Sequence, residues 1–208
     1  MAEWIKDNAR YYFDIIDNEA CLYKIEFSKD KPRKIELPSE VQYNGKTYPV
    51  TQLKGWKYVS PKQEQVTDKR RKDYGTWVNI PGEYYRFDAP LLHSSYFYDD
   101  RVEEVILPKT VRVIGYATFH GCRKLKNIKL NNGLESIGAS AFVGCEALKE
   151  ITIPSSVKKI GRGCFDGGVS VSIKIQNKPG AVEFEAFAVG ADDNVTYVGK
   201  SLLSRIFK

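Results

Sequence analysis

Apolar and polar positions recur along residues 102–198 in a repeating pattern. Three copies align without gaps from Val102, Leu125 and Leu148, so the pattern has a period of 23 residues. A fourth copy is predicted with one residue deleted, because the apolar positions Ile173, Ile175, Val182 and Phe187 follow their counterparts in the third copy by 22. Val195 and Tyr197 begin a fifth copy. Self-similarity at a fixed period predicts a repeat protein in which each copy is one structural unit.

Each copy is interpreted as one coil built from short strands. Ile151-Thr152-Ile153 alternates apolar and polar residues, which predicts a strand with one buried face, and Pro154 then ends its ladder. Val157 and Ile160 suit a second short extended piece. Gly161 is expected to turn the chain, so that the Cys164-Phe165 segment reaches the interior from the far side.

A single coil cannot bury both its strand face and its phenylalanine. Neighbouring coils must therefore stack at about 4.8 Å and share one core. Stacking predicts three columns of identical positions. They are Phe119, Phe142, Phe165 and Phe187; Val105, Ile128, Ile151 and Ile173; and Ile114, Ile137, Ile160 and Val182.

The residues before the repeats predict a cap. From Tyr11 the chain is rich in strand formers, and Asp17-Asn18-Glu19 provides a turn between two extended runs. We expect a hairpin there that closes the solenoid, because the end of a repeat array exposes unpaired strand edges and apolar core. At the other end, residues 201–207 either fold back as a short amphipathic cover or form a frayed tail.

The repeat phrase resembles a known family. From Leu148 to Phe165 the chain follows the pattern L-x-x-I-x-I-P-x-x-V-x-x-I-G-x-x-x-F. In the two earlier copies a cysteine, Cys122 or Cys145, stands three residues after the phenylalanine. This pattern is similar to the BspA-like leucine-rich repeats of bacterial proteins. Residues 34–53 also resemble the first coil of such proteins, with Ile35-Glu36-Leu37-Pro38 as a strand and Asn44-Gly45 as a hairpin turn. The resemblance implies a right-handed array used for protein contacts, in a family associated with surface adhesion, host-protein binding and cell aggregation.

Together these features predict a mainly β fold. It is a short right-handed leucine-rich-repeat solenoid with an N-terminal β-hairpin cap and a long insertion in the first coil. The expected division is residues 1–54 for the cap and first coil, 55–96 for the insertion, 97–198 for the repeats and 199–208 for the tail. The insertion follows no repeat template and is rich in aromatic residues, which argues for partial order.

Composition changes this picture only slightly. The formal net charge of +6 at pH 7 favours acidic partners, and no apolar run is long enough to span a bilayer. Residues 1–7 lack the features of a secretory signal, which favours an internal protein or one from which a signal was removed, whereas the family resemblance suggests a secreted or surface protein. The four cysteines are expected to be buried thiols, because three of them occupy core positions of the repeat.

No constellation for chemistry is found. Only His93 and His120 could act as neutral bases, and neither has a nucleophile and carboxylate that can be placed beside it. Cysteine and histidine spacings typical of zinc sites are missing. The glycines at 115, 138 and 161 follow the coil period, so they do not indicate a nucleotide loop. We therefore expect no catalytic residue, no metal and no cofactor, and hence a protein that is not an enzyme.

Two surfaces remain as candidate contact sites. The first is the row between the buried strand positions, expected to project from one sheet: Glu36, Ile106, Lys129, Thr152, Lys174 and Thr196. The second is the insertion, whose aromatic and basic residues include Trp56, Lys69, Arg70, Arg71, Lys72 and Trp77. A solubilising role for the row and a solvated loop tip for the basic run are the alternatives. Nucleic acid is disfavoured, since its backbone needs a continuous basic track.

The leading hypothesis is a non-enzymatic protein-binding module that presents the solenoid sheet and the insertion to a protein partner. The alternative is an adhesin or surface-assembly fragment that binds extracellular or host proteins or associates with itself. Under either hypothesis the chain is expected to be a monomer or to self-associate weakly. The sequence does not identify the partner.

Overall fold

A computed structural model describes residues 2–28, 32–54, 78–80, 83–85, 101–166, 170–190 and 193–198. These residues form seventeen short strands and contain no helix. The strands are β1 (Ala2–Lys6), β2 (Ala9–Ile16), β3 (Glu19–Phe27), β4 (Lys34–Glu36), β5 (Glu40–Tyr43), β6 (Lys46–Leu53), β7 (Val78–Ile80), β8 (Glu83–Tyr85), β9 (Glu104–Ile106), β10 (Val113–Ile114), β11 (Asn127–Lys129), β12 (Ser136–Ile137), β13 (Glu150–Ile153), β14 (Lys159–Ile160), β15 (Ser172–Ile175), β16 (Glu183–Phe184) and β17 (Asn194–Tyr197).

The strands build a solenoid whose coils each contribute two strands. Coil one holds β4 and β6, coil two β9 and β10, coil three β11 and β12, coil four β13 and β14, and coil five β15 and β16, while β17 begins a sixth. Coils two to five are the four copies of the sequence repeat. Short strands separated by proline and glycine turns account for this architecture, because each turn ends a ladder after two to four residues.

The first strands of the coils form a parallel ladder with the predicted register. Ile35 lies opposite Val105, which lies opposite Ile128. Ile151 lies opposite Ile173, which lies opposite Val195. The predicted pairing of Val105 with Ile128 and of Ile151 with Ile173 is therefore confirmed. The ladder is divided, however, into one three-stranded sheet of β4, β9 and β11 and another of β13, β15 and β17, rather than the single sheet expected.

The second strands form a parallel ladder on the other side of the core. Strands β6, β10, β12, β14 and β16 pair in order, and Leu53, Ile114, Ile137 and Ile160 are all buried along it. In coil five the partner of Ile160 is Phe184 and not Val182 as predicted. The first strand of coil five is thus offset by 22 residues from that of coil four, and the second strand is offset by 24. The link between the two strands is therefore two residues longer in coil five than in coil four.

The predicted phenylalanine column is correct for three of its four members. Phe119 and Phe142 stack with ring centroids 5.4 Å apart, and Phe142 and Phe165 do the same at an interplanar angle of 4°. All three side chains are buried. Phe187 does not join them, since its side chain is 73% exposed. The longer path between the strands of coil five moves this residue out of the interior position that the 22-residue spacing assigns to it.

The glycines of the repeat are required for close packing of the coils. A Cβ atom at Gly138 would lie 2.6 Å from the backbone of Gly115, and one at Gly161 would lie 2.4 Å from the backbone of Ala139. Both contacts are with the preceding coil and are shorter than a side chain tolerates. These glycines were expected to serve a turn, but the structure gives a different reason for them: the gap between successive backbones is too narrow for a Cβ atom.

The N-terminal cap is larger than the predicted hairpin. Strands β2 and β3 form that hairpin, with Asp17 and Asn18 at φ 51° and 62° in its turn, and β1 adds a third antiparallel strand. Strand β3 then pairs in parallel with β6 of coil one. The cap, the second ladder and β5 thus form one nine-stranded sheet, and the cap covers the edge that coil one would otherwise expose.

Coil one contains a second predicted feature, the Asn44-Gly45 turn. Strands β5 and β6 are antiparallel around it, and both turn residues have positive φ, 49° and 73°. Two-residue hairpin turns need this conformation, so the prediction is confirmed. Within the insertion, β7 and β8 form an antiparallel pair.

The four cysteines are all buried, and none forms a disulfide bond. The Cys145 thiol donates a hydrogen bond to the carbonyl of Phe119 at 3.2 Å. Burial raises the pKa of Cys145 to about 12 and that of Cys21 to about 11. These thiols therefore stay protonated at neutral pH and behave as small apolar side chains of the core.

We predict that Phe142→Ala lowers the free energy of unfolding by about 3–5 kcal/mol, because it empties the centre of the stacked phenylalanine column. Urea unfolding followed by fluorescence measures the change. Phe187→Ala, which removes the same atoms from an exposed position, is the matched control and should cost much less. Equal losses in the two variants would contradict the column.

Asn131 gives a second stability prediction. It is buried, and its side-chain amide donates to the carbonyls of Pro108 and Val111 in the preceding coil at 2.8 and 2.9 Å, while its Oδ1 accepts from the Gly133 N–H at 2.7 Å. Asn131→Ala should destabilise the protein by about 1–3 kcal/mol, because the carbonyls of Pro108 and Val111 and the N–H of Gly133 lose their hydrogen-bond partner. Thermal unfolding of Asn131→Ala and of the exposed neighbour Asn132→Ala makes the comparison, and a similar loss in both would refute this role.

Candidate functional site

The outward row of the first ladder is the principal candidate. This row, called the ladder row below, consists of Glu36, Ile106, Lys129, Thr152, Lys174 and Thr196. Glu36, Ile106 and Lys129 lie side by side in register on one three-stranded sheet. Thr152, Lys174 and Thr196 do so on the other. The structure thus brings the six residues together as two groups of three.

Exposure within the ladder row follows the alternation of the strands. Ile106 and Lys174 are half-buried, and the other four members are exposed. Their neighbours along the chain, such as Val105 and Ile173, are buried in the core. A row fixed by core packing on its inner side presents its outer side chains at fixed spacings, which is what a contact surface requires.

The charges beside the ladder row are largely paired. Lys34 Nζ lies 3.6 Å from both Glu36 Oε1 and Glu104 Oε1. Lys174 Nζ lies 2.6 Å from Glu150 Oε2. Lys129 has no carboxylate partner among the described residues. Exposed pairs of this kind contribute only about 0–1 kcal/mol each, so they leave a polar, mixed-charge surface more than they stabilise the fold.

The second candidate surface is the insertion. Trp56, Lys69, Arg70, Arg71, Lys72 and Trp77 lie outside the described residues. The ladder row is therefore the only sequence-predicted surface whose geometry is described.

An ionic network on the second ladder was not anticipated from the sequence. Arg112 Nη2 donates to both carboxylate oxygens of Glu19 at 2.9 and 2.7 Å, and the Thr51 hydroxyl donates to the same carboxylate at 2.8 Å. Arg112 Nε also lies 4.0 Å from Glu135 Oε1. This network ties the cap to coils one to three. Its signal in the sequence is that Arg112, Glu135 and Lys158 alternate in charge at one repeat position.

Exposed apolar side chains gather at the two ends of the described array. Ile5 and Ile16 are exposed on the cap, and Phe187 and Val198 are exposed in the last coils. The guanidinium carbon of Arg162 lies 5.8 Å from the centroid of the Phe187 ring. This pair was not predicted, because the repeat spacing placed Phe187 in the core and no sequence feature singled out Arg162.

The described residues contain no group of histidine, cysteine and acidic side chains placed to hold a metal ion. His120 is half-buried in a turn, and burial lowers its pKa. His93 lies outside the described residues. No helix among the residues that the structure describes is long and apolar enough to cross a membrane.

The Glu19 network predicts a dependence of stability on pH. The hydrogen bonds from Arg112 and then Thr51 hold the pKa of Glu19 below its ordinary value of 4.5. A carboxylate with a lowered folded-state pKa stabilises the fold above that ordinary value, and the contribution disappears as the pH falls through the lower pKa. Glu19→Gln should therefore reduce thermal stability at neutral pH and flatten the loss seen on acidification.

Calorimetric melting temperatures from about pH 7 to about pH 3 provide the measurement. Glu40→Gln changes an exposed carboxylate that forms no ion pair among the described residues, so it should reproduce the wild-type profile. A Glu19→Gln profile parallel to that of the wild type would show that the network does not couple to acid stability.

Comparison with known proteins places this geometry among bacterial repeat proteins. The model of the BspA type leucine-rich repeat region matches residues 91–201 with six copies. No curated protein is a significant match to the chain.

Solved structures with similar folds are leucine-rich repeat proteins and a vaccine antigen. A leucine-rich repeat protein from Bacteroides ovatus is 22% identical with a TM-score of 0.61, and the match covers 95% of this chain and 41% of that one. One from Bacteroides capillosus is 24% identical with a TM-score of 0.51, covering 76% and 86% of the two chains. The pneumococcal vaccine antigen PcpA is 15% identical with a TM-score of 0.52, covering 96% and 50%. The chain thus spans less than half the length of the Bacteroides ovatus protein.

Proposed function

The chain belongs to the BspA-type leucine-rich repeat family, and on this basis we propose that it is a non-enzymatic protein-binding module. Its first contact surface is the ladder row, and its second is the aromatic and basic insertion. The observation that carries the proposal is the register of the ladder row. Within each of its two three-stranded sheets, outward side chains of successive coils lie directly beside one another.

The chemistry of the ladder row suits a protein partner. It combines a half-buried Ile106 with the exposed hydroxyls of Thr152 and Thr196 and with the amines of Lys129 and Lys174. Protein interfaces have this mixture of apolar contact, hydrogen bonding and scattered charge. A nucleic-acid backbone needs a continuous basic track instead, and Glu36, Glu104 and Glu150 interrupt one here.

The insertion contributes to the same function in this proposal. Its sequence combines tryptophan and tyrosine with the basic run 69–72, and such residues often dominate the binding energy of protein interfaces. We accordingly assign residues 1–54 to the cap and first coil, 55–96 to the contact insertion, 97–198 to the array and 199–208 to the tail.

A second candidate function is an adhesin or surface-assembly fragment that binds extracellular proteins or associates with itself. Strands β1 and β17 favour it, because each is the last strand of its sheet among the described residues. Unpaired edges of terminal strands can add a strand from another chain. Light scattering across a wide concentration range separates the two functions, since self-association predicts growth of mass and a binding module predicts a constant one.

A photo-crosslinking residue tests the proposed function when placed at Thr152 or Thr196. We expect it to capture a distinct protein from the native bacterial envelope or culture fluid, whereas the same residue at Lys158, exposed on the second ladder, should not.

The captured protein is then purified, and its affinity is measured directly. Replacing both threonines by arginine should weaken binding by about tenfold or more, and Lys158→Glu should leave it nearly unchanged.

Two results would count against the proposal. Equal capture from Thr152 and Lys158 would remove the ladder row as the binding surface. Unchanged affinity after deletion of residues 55–93 would remove the insertion from the interface while leaving the ladder row in place.

A further inference from the structure

Phe187 lies at a turn of the coil, called the corner below, where coils two to four each have a small residue. The corner positions of coils two, three and four are Ala117, Ser140 and Gly163, with φ values of 50°, 55° and 58°. Phe187 has φ 56° and takes the same position in coil five. Hydrogen bonding supports this equivalence, because the N–H of Phe142 donates to the carbonyl of Cys164, and that of Phe165 donates to the carbonyl of Ala188.

A phenylalanine is an unfavourable choice for this corner. The left-handed conformation suits glycine and asparagine, whereas a bulky side chain there is strained by about 1–3 kcal/mol. The side chain does not recover this energy through burial, since it is 73% exposed and is the most exposed large apolar residue of the described part of the chain. Folding alone therefore does not account for the residue.

Arg162 supplies a cation next to the exposed ring. Its guanidinium carbon lies 5.8 Å from the centroid of Phe187, and the guanidinium has no carboxylate partner among the described residues. Among the described residues, Glu185 accepts the backbone N–H of Arg162 at 2.9 Å, but its carboxylate is paired with Lys159 Nζ at 2.6 Å. Arg112 and Arg123, by contrast, are each paired with glutamates.

We propose that Phe187 and Arg162 form an anchor site for an acidic segment of a partner protein. An apolar side chain of the segment packs on the Phe187 ring, and an adjacent carboxylate pairs with the Arg162 guanidinium. Phenylalanine and arginine are both enriched at protein interfaces relative to the rest of the surface. This inference deepens the proposed protein-binding function by giving the partner a chemistry and by adding a contact at the end of the array.

Charge argues against the two internal candidates for this site. Residues 199–208 carry Lys200, Arg205 and Lys208 and no acidic side chain, so their charge does not complement Arg162. A second copy of the chain brings a net charge of +6, which opposes association. The same net charge attracts an acidic partner and speeds its approach.

Fluorescence anisotropy with a labelled synthetic peptide of alternating aspartate and leucine tests the proposal. The full chain should bind this peptide more tightly than a matched peptide of alternating lysine and leucine. Arg162→Glu and Phe187→Asn should each weaken binding of the acidic peptide by about tenfold. Phe187→Asn should also raise the melting temperature by about 2 °C, because asparagine relieves the backbone strain. Arg123→Glu and Ile16→Ser change an exposed arginine and an exposed apolar residue elsewhere and serve as matched controls.

Each alternative occupant gives a different result. A lower melting temperature of Phe187→Asn would mean that the chain itself covers the ring, and growth of mass that Phe187→Asn abolishes would mean that a second copy does. Either result overturns the proposal, as does an absence of binding or equal binding of the two peptides. Arginines at Thr152 and Thr196 are measured in parallel. If they weaken binding of the acidic peptide and Phe187→Asn does not, the anchor fails while the ladder row stands.

Discussion

Hydrogen bonding between successive coils at a constant close spacing is the constraint on which this structure depends. Backbone hydrogen bonds join equivalent residues of neighbouring coils, so a side chain at a given repeat position stacks on the side chains at the same position in the coils beside it. The phenylalanine rings 5.4 Å apart and the glycines without room for a Cβ are two consequences of this spacing. A residue that breaks the spacing disturbs two interfaces at once, which explains why the interior columns vary so little.

The same constraint acts on the outer surface. Outward side chains also lie beside their counterparts, and like charges directly opposite one another are destabilising. Alternating charge at one repeat position avoids this, as in Arg112, Glu135 and Lys158. The result is a surface of mixed charge along the ladders. Local electrostatics thus prevents this outer face of the array from carrying one uniform charge.

The sequence predicted the features that stacking specifies directly. The columns through coils two to four, the Asn44-Gly45 turn and the hairpin of the cap follow from repeat period and turn chemistry. The second half of coil five was predicted wrongly, because the period does not determine how many residues link two strands. Val182, Phe184 and Phe187 are all apolar, so several registers satisfy the hydrophobic pattern equally well. The strand β1 was missed because residues 2–6 carry no repeat signal and only weak alternation.

The altered register of coil five affects where a contact residue can be placed in the array. A residue in the middle of the array is held between two neighbours, and its side chain must match both. Among the described residues, the corner at Phe187 has a neighbouring coil on one side only, so an aromatic side chain with positive φ and high exposure is tolerated there. The interior of the array therefore supplies rigidity, and its last described coil has the freedom to depart from the repeat. A contact residue placed there gains a rigid support without disturbing the columns that hold the coils together.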